Sequence, residues 1–440
     1  MRSEGERMLG GLLGASHQAA IEDLPDLVAE HAKPLGFCQT MIYVVDLQQQ
    51  YLVPLPGQHD AAGEPLRPIR IDATLAGRAY RNVEVVQAKH VVEGEPEAPA
   101  DEGRRRLWVP LLDGTERVGM LGVTVPAGDD DIDWRVKQLA SLVSLLLISK
   151  RNFSDTYASL VRVESMTLSA EVLWNLMPSG SFANDKVVVG AALEPAYDVG
   201  GDVYDFALSG DTLHLSIFDA MGHDTSAGLT ATIAVGACRN NRLRGTGLLA
   251  ASEAIDEAIA EQFGATRFAT GILADLNLKT GELTWVNRGH HPPLVIRRGR
   301  RVATLESVPS PPMGFRLGLS AGLEHYQLER GDRLLFYTDG IIEAHSPEGE
   351  VFGLERFIDF VVRREADGMS APETLRRLIQ SILEHQHGRL QDDATVLSVE
   401  WHGEKEHRLT EGPQKASALQ DSVAQFGGSC GECQVEAREV

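Results

Sequence analysis

Four aspartates in four separate stretches carry the chain's main chemical signal. They are Asp202 in Val199-Gly-Gly-Asp202-Val-Tyr-Asp205, Asp219 in Ser216-Ile-Phe-Asp219-Ala-Met-Gly-His223, Asp339 in Phe336-Tyr-Thr-Asp339-Gly-Ile-Ile-Glu343, and Asp392 in Gln391-Asp392-Asp393-Ala-Thr-Val-Leu397. Three of them read as the end of a strand and the fourth as the opening of one. A strand end holds a carboxylate rigidly and still lets it reach a cleft. Converging carboxylates repel one another, so such an arrangement makes sense mainly when divalent cations neutralise it. Hard oxygen ligands suit magnesium or manganese, and two such ions are a device for attacking a phosphate ester.

Elements of two kinds must position these residues. From about Asp224 to Asn240, Gly247 to Phe263, Gly353 to Arg364 and Ala371 to Gln386 the pattern is helical. Between them lie strand runs joined by tight turns at Ser209-Gly-Asp211, Thr280-Gly281, Arg298-Gly299 and Arg330-Gly-Asp332. Strand clusters alternating with helix pairs suggest two stacked sheets flanked by helices. Upstream, residues 23–148 read as a separate α/β domain behind an N-terminal segment, 1–22. Its signals are a helix over Asp23 to Lys33, strands at 40–45, 67–71, 84–88, 107–112 and 117–125, an Asp113-Gly114 hairpin turn, and a closing helix near Asp133. Cys38, at the first strand's start, reads as a small core residue. From Gln138 to Met177 the pattern stays helical until Pro178 stops it. Leu139, Leu142, Leu146, Phe153, Tyr157 and Leu160 recur roughly every 3.5 residues there, an imperfect coiled-coil seam. A continuous connecting helix (149–178) could transmit rotation between domains and pair two copies of the chain. Residues 403–440 lack periodicity and read as a disordered tail, and the lone Cys430-Gly-Glu-Cys433 within it lacks the second pair a zinc ribbon needs.

Composition sets bounds. A length of 440 residues favours two to three domains, and 43% hydrophobic residues supply their cores. The net charge of −22 argues against a nucleic-acid partner, whose phosphates it would repel. The longest apolar run, Leu145-Leu-Leu-Ile148, is far below a membrane span. With no signal-peptide core and only four cysteines, a cytoplasmic setting is expected.

Nine blocks in order carry a family resemblance: Leu176-Met-Pro178, Gly200-Gly-Asp-Val-Tyr-Asp205, Asp219-Ala-Met-Gly-His223, Phe268-Ala-Thr270, Asn287-Arg-Gly-His-His-Pro-Pro293, Gly331-Asp332, Tyr337-Thr-Asp-Gly340, Phe352-Gly353 and Asp392-Asp-Ala-Thr395. Through them the stretch from about Leu176 to Trp401 resembles the catalytic domain of the SpoIIE/RsbU branch of PPM metal-dependent protein phosphatases. The resemblance implies an α-β-β-α sandwich over residues 179–402 and serine/threonine phosphoprotein phosphatase activity. It also implies two Mn2+ or Mg2+ ions, with Asp202 and Asp219 between them and Asp339 and Asp392 completing one. The residue after Asp219 gives its backbone carbonyl in that family and is usually glycine; here it is Ala220, which retains the ligand if its φ is negative. In relatives the substrate is often a phosphorylated anti-sigma-factor antagonist in bacterial partner switching. The upstream domain resembles a GAF-type sensor, which implies a small-molecule or protein ligand and regulation of the phosphatase; an unrelated α+β dimerisation domain is the alternative, and the partial 3.5-residue repeat of the connecting helix leads us to expect a homodimer through that helix and the sensor domain. A catalytically weak PPM-fold module acting by partner binding is the alternative for the whole, and a cyclic-nucleotide synthase fails because no Glu-Phe follows Gly200-Gly-Asp202.

Asp205 and Asp393 are expected to orient metal-bound waters. His290 reads as a local packing or hydrogen-bonding residue, and His223 stays open between that and a general acid. Some relatives hold phosphate with an arginine from the domain's opening strand. No arginine lies between Arg162 and Arg239, and Lys186 is the only lysine in that span, so the metals must carry most of the phosphate binding.

Overall fold

The alternation of apolar residues in the first long strand explains how the N-terminal half is layered. Ile42 and Val44 face one way, Met41 and Tyr43 the other, and both faces are buried. In this computed structural model, which describes residues 4–88, 95, 96, 103–127, 131–195, 197, 198, 200–388 and 390–403, that half comprises α1 (Glu4–Ser16), α2 (Leu24–Ala32), β1 (Cys38–Val45), β2 (Tyr51–Pro54), β3 (Ile69–Arg70), α3 (Leu75–Asn82), β4 (Val86–Ala88), β5 (Arg104–Asp113), β6 (Glu116–Pro126) and α4 (Ile132–Arg151). The strands form one antiparallel sheet in the order β3-β2-β1-β6-β5-β4. Ile42, Val44, Leu121 and Val123 pack against Leu12, Val28, Val136, Leu139 and Val143 of α1, α2 and α4. Tyr43, Trp108 and Met120 pack against Ala76, Ala79 and Tyr80 of α3. The Asp113-Gly114 turn joins β5 to β6 as expected, with Gly114 at φ +57. The sequence pattern missed α1, whose four glycines hide it, together with β2 and α3.

The connecting helix is not continuous. α4 ends at Arg151, and the chain continues as α5 (Asp155–Val161) and α6 (Leu168–Leu176). Two hydroxyl residues inside the expected helical run start new helices instead: Ser154 caps α5 by accepting from Tyr157 N, and Thr167 caps α6 by accepting from Ala170 N. Rotation along one rigid helix therefore cannot link the two halves. Side-chain packing links them directly. Arg117 of β6 ion-pairs with Glu373 at 2.9 Å, and Arg376 bridges the same Glu373 (2.9 Å) and Asp72 (3.1 Å). Arg117 also lies 4.5 Å from the centre of the Tyr80 ring. Gln48 donates to Glu194 at 3.2 Å, and Leu47 N to Val161 O at 3.0 Å. A cleft of about 900 Å³ adjoins this contact.

The C-terminal half runs β7 (Ser181–Ala183), β8 (Val187–Glu194), β9 (Asp202–Ser209), β10 (Thr212–Ala220), α7 (Thr225–Leu243), α8 (Leu248–Phe263), β11 (Ala269–Asn277), β12 (Glu282–Arg288), β13 (Leu294–Arg297), β14 (Arg300–Thr304), β15 (Glu324–Gln327), β16 (Arg333–Tyr337), α9 (Asp339–Ile342), α10 (Leu354–Ala366), α11 (Ala371–His385) and β17 (Ala394–Trp401). Two antiparallel sheets result, β15-β12-β11-β10-β9 and β14-β13-β16-β17-β8-β7. Leu213, Leu215, Ile217 and Ile272 of the first meet Val187, Val189, Leu334, Phe336, Leu397 and Val399 of the second. Ala227, Ala231, Val235, Ile255 and Ile259 of α7 and α8 cover the outer face of the first sheet. Phe357, Val361, Leu375, Leu378 and Ile382 of α10 and α11 cover the second. Burying each such aliphatic or aromatic side chain contributes about 1.5–3 kcal/mol.

The four helices predicted here begin and end within three residues of those found. One turn was misread: Arg330-Gly-Asp332 closes no hairpin. It carries the chain from β15 in one sheet to β16 in the other, and Asp332 holds the bend through Glu329 N and a two-pronged bond from Arg297. Among the described residues, no helix is long and apolar enough to cross a membrane. Residues Met1–Glu404 form one compact unit; the second unit, Lys405–Val440, lies outside the described residues, as do the predicted tail beyond Gly403 and the Cys430/Cys433 pair.

Candidate active site

Strand register brings the aspartates together. Asp202 opens β9 and sits directly opposite Asp219 near the end of β10. Directly opposed residues project from the same face, and that face is the inter-sheet side, since Leu215 and Ile217 share the parity of Asp219. In the facing sheet, Tyr337 at the end of β16 pairs with Val396 of β17. Asp339 follows the first strand and Asp392 precedes the second, so the two sheets deliver their carboxylates to one end of the sandwich. Two of the four aspartates, Asp219 and Asp339, thus stand at strand ends and two, Asp202 and Asp392, at strand starts, where the sequence reading has three and one.

Three of the four, Asp219, Asp339 and Asp392, line a pocket of about 280 Å³ together with Ala220, Met221, Gly222, His223, Phe268, Thr270 and Asp393. Asp202 is 2% exposed, and its Oδ2 accepts from Thr338 Oγ1 at 2.7 Å. Burial pushes its carboxyl well above the usual range, and the charges of Asp219 and Asp393 add to the rise. Asp219 is pushed up to about 7 by burial and then by Asp339, Asp392 and Asp393. Burial also raises Asp392, with Asp339 adding. The shared oxygen donors and the charge they cannot relieve among themselves fit hard divalent cations. Ala220 has a negative φ, so its carbonyl stays available despite the departure from glycine.

Asp393 does something other than orient waters. It accepts the backbone N–H groups of Gly200 (2.8 Å), Gly201 (2.7 Å) and Asp202 (3.0 Å), making an anion in a nest of amides that fixes the start of β9. Burial raises it to about 6 even though these amides pull the other way. The arrangement needs Gly340, because a Cβ there would stand 1.9 Å from Asp393 O. Asp205 does not belong to the site at all. Three residues after Asp202, it projects from the opposite face of β9. There it is buried between Arg239 (2.6 Å) and Arg242 (2.7 Å) of α7.

His290 is the packing residue expected. Its Nε2 donates to Tyr337 O at 3.1 Å, so its Nδ1 accepts from Thr270 Oγ1 at 2.8 Å. Burial, then His291, lowers it to about 3, which keeps the ring neutral. His223 is exposed in the pocket lining. Ligand atoms of His291, Asp339 and Glu343 lie within 4.8 Å of one another. Lys186 is engaged by Asp211 at 2.9 Å on the sheet's far hairpin and plays no part here. Thr338 and Thr395 were missed as site residues. Thr338 Oγ1 accepts from Thr395 N at 2.9 Å while donating to Asp202, which ties the two sheets together at the cluster. Their place inside the Tyr-Thr-Asp-Gly and Asp-Asp-Ala-Thr motifs was the available signal.

Residues 209–402 match the family Stage II sporulation protein E (SpoIIE). They form a SpoIIE-family domain. Asp219, Asp339 and Asp392 fall within the match, and Asp202 lies seven residues before it. The chain is similar to Protein IcfG of Synechocystis sp., 24% identical over 330 residues that cover 66% of this chain and 51% of that protein. It is also similar to phosphoserine phosphatase RsbU of Bacillus subtilis, 24% identical over 237 residues that cover 52% of this chain and 68% of RsbU. The chain thus spans about half the length of the first of these relatives. Among solved structures, the RsbU and RsbW domains of Rv1364c from Mycobacterium tuberculosis align over 50% of this chain and 62% of that one, at 24% identity and a TM-score of 0.44.

The raised carboxyls of this SpoIIE-type domain have a measurable consequence. A carboxyl whose folded pKa lies above its unfolded value binds more protons when folded. Metal-free stability should therefore fall as pH rises from about 4 to about 7, by up to about 1.4 kcal/mol per pH unit for each such proton. Excess Mn2+ competes with those protons and should flatten or reverse the slope. Melting temperatures measured across this range with EDTA and with Mn2+ check both halves; parallel curves would contradict the cluster's assignment.

Proposed function

We propose that this protein is a divalent-metal-dependent phosphoprotein phosphatase acting on phosphoserine or phosphothreonine. The observation that carries the reading is the convergence of Asp219, Asp339 and Asp392 from two sheets onto one pocket, with Asp202 buried directly opposite Asp219, and with burial and mutual charge making Asp202, Asp219 and Asp392 protonation-prone. Those four carboxylates and the Ala220 carbonyl would hold two Mn2+ or Mg2+ ions. When bound, the ions neutralise phosphoryl charge and acidify the attacking water. The chain's own part is to fix the ligands. Asp393 and Thr338 set the position of Asp202, and the β9–β10 ladder sets Asp219 against it. The carboxylates that line the pocket leave phosphate binding to the cations.

The substrate class is supported by the domain family and by the similarity to RsbU, a phosphoserine phosphatase. An anti-sigma-factor antagonist in a cytoplasmic partner-switching system is the specific substrate we infer. The weak or inactive module is disfavoured because every ligand position is filled. Hydrolysis of p-nitrophenyl phosphate and then of a phosphoserine protein, with and without Mn2+, tests the reading. Absence of metal-dependent turnover in a folded chain that binds Mn2+ would favour the binding module.

The N-terminal half, a six-stranded antiparallel sheet between helical layers, supports a GAF-like sensor that regulates the phosphatase. Its route to the site is the ion-pair cluster on α11. That helix packs on β8 and β17, and β17 follows directly from Asp392-Asp393. Trp134 and Leu145 are 60% and 61% exposed on α4, and Phe153 just after it is 91% exposed. We assign this apolar face to a second copy of the chain. Light scattering should give twice the 47.9 kDa chain mass, and a monomer would remove the dimer from the scheme.

A further inference from the structure

The turn from Ala220 to Asp224 presents one proposed metal ligand, the Ala220 carbonyl, and lines the pocket with Met221, Gly222 and His223. It is gripped from two sides. On one side runs the Gly200-Gly201 segment: a Cβ on Gly201 would stand 2.4 Å from Ala220 O and 3.0 Å from Gly222 O. The carbonyls of Ala220 and Gly222 therefore face the stretch that leads into Asp202. On the other side stands Arg267. Its Nη1 donates to the intervening carbonyl, Met221 O, at 3.1 Å, and its Nη2 to Asp224 Oδ2 at 2.7 Å. Asp224 Oδ1 in turn caps α7 by accepting from Ala227 N at 2.9 Å. One guanidinium thus fixes both the plane of the Met221 carbonyl and the first turn of α7.

We propose that Arg267 is a positioning residue for the metal site. The Met221 N–H bond to Phe268 O at 3.0 Å sets the peptide plane that carries the Ala220 carbonyl, and Arg267, by holding the next carbonyl, Met221 O, and tying the turn to α7, keeps that plane facing the stretch that leads into Asp202. This rests on the phosphatase reading above, since it concerns how the chain presents a ligand to a cation. An exposed ion pair alone contributes little, so the role lies in the direction of the carbonyl and not in stability. Its effect on metal affinity should match that of other residues that orient ligands, about 10- to 100-fold.

Calorimetric titration of the full chain with Mn2+ tests this. Arg267→Ala should weaken one class of site by that factor while the melting temperature in EDTA stays close to the wild-type value. Activity on p-nitrophenyl phosphate at limiting Mn2+ should fall, and saturating Mn2+ should recover most of it. Arg267→Lys should be intermediate, because an ammonium cannot hold Met221 O and Asp224 in one planar fork. Wild-type and Arg267→Ala titrations that superimpose would overturn the proposal, as would a variant that loses stability in EDTA while keeping its Mn2+ affinity. A wild-type chain that binds no Mn2+ would overturn the phosphatase reading along with it.

Discussion

Asp219→Asn should reduce metal-dependent phosphatase activity by several orders of magnitude and, at the same time, raise the stability of the metal-free protein. Both effects have one origin. Asp219 is the most connected member of the cluster: it opposes Asp202 across the ladder and feels the charges of Asp339, Asp392 and Asp393. At neutral pH its charged form is disfavoured by burial and by these neighbours, and cations are what relieve it. An amide of the same shape removes the repulsion, so the EDTA melting temperature should rise. It also removes an anionic ligand, so added Mn2+ should no longer stabilise the fold by mass action. Asp202→Asn, Asp339→Asn and Asp392→Asn should lower activity in the same way. A variant at any of these positions with near-normal turnover at saturating Mn2+ would show that residue to be misassigned.

Glu373→Ala should cost about 3–5 kcal/mol of stability and alter the basal activity of the full chain. Glu373 is 3% exposed and accepts from Arg117, Arg376 and Arg377. Burial works to raise its pKa, yet the three arginines outweigh it and hold the carboxyl below the usual range. Removing one partner from a buried ionic group leaves the others uncompensated, which is the expensive way to break it. Arg117 belongs to the N-terminal sheet and Arg376 to α11, so the penalty falls on the contact between the two halves. Denaturant unfolding of Glu373→Ala, Arg117→Met and the double variant forms a cycle. The single effects should be strongly non-additive. Losses below about 1 kcal/mol, summing independently, would show the cluster to be a passive surface feature.

These two cases mark how far the sequence could be read. The aspartates were legible because their chemistry is local: an acidic residue at the edge of an apolar run, repeated four times, needs no knowledge of its neighbours. The strand pairs around them were legible for the same reason, through Ser209-Gly-Asp211 and Thr280-Gly281. Asp205 was not. It stands in the same motif as Asp202, and only strand parity and the arginines of α7 separate the two. The connecting helix was misjudged because Ser154 and Thr167 look like surface polar residues in a heptad, and become caps only once the chain turns. Arg267 and the link from Glu373 to the N-terminal half gave no signal because the partners concerned, Asp224 and Arg117, lie 43 and 256 positions away. Arg330-Gly-Asp332 has hairpin chemistry, yet two sheets compete for its flanking strands, and tertiary packing decides.

The proposal of a catalytic metal centre at the carboxylate cluster stands or falls on how turnover depends on Mn2+. The most direct measurement is the initial rate of phosphoserine-peptide hydrolysis as a function of Mn2+, run side by side for the wild-type chain and Asp219→Asn. The account predicts a saturable, EDTA-reversible rise for the wild type and a flat baseline for the variant, with both proteins folded. Equal rates for the two, or a wild-type rate indifferent to Mn2+ and EDTA, would contradict it.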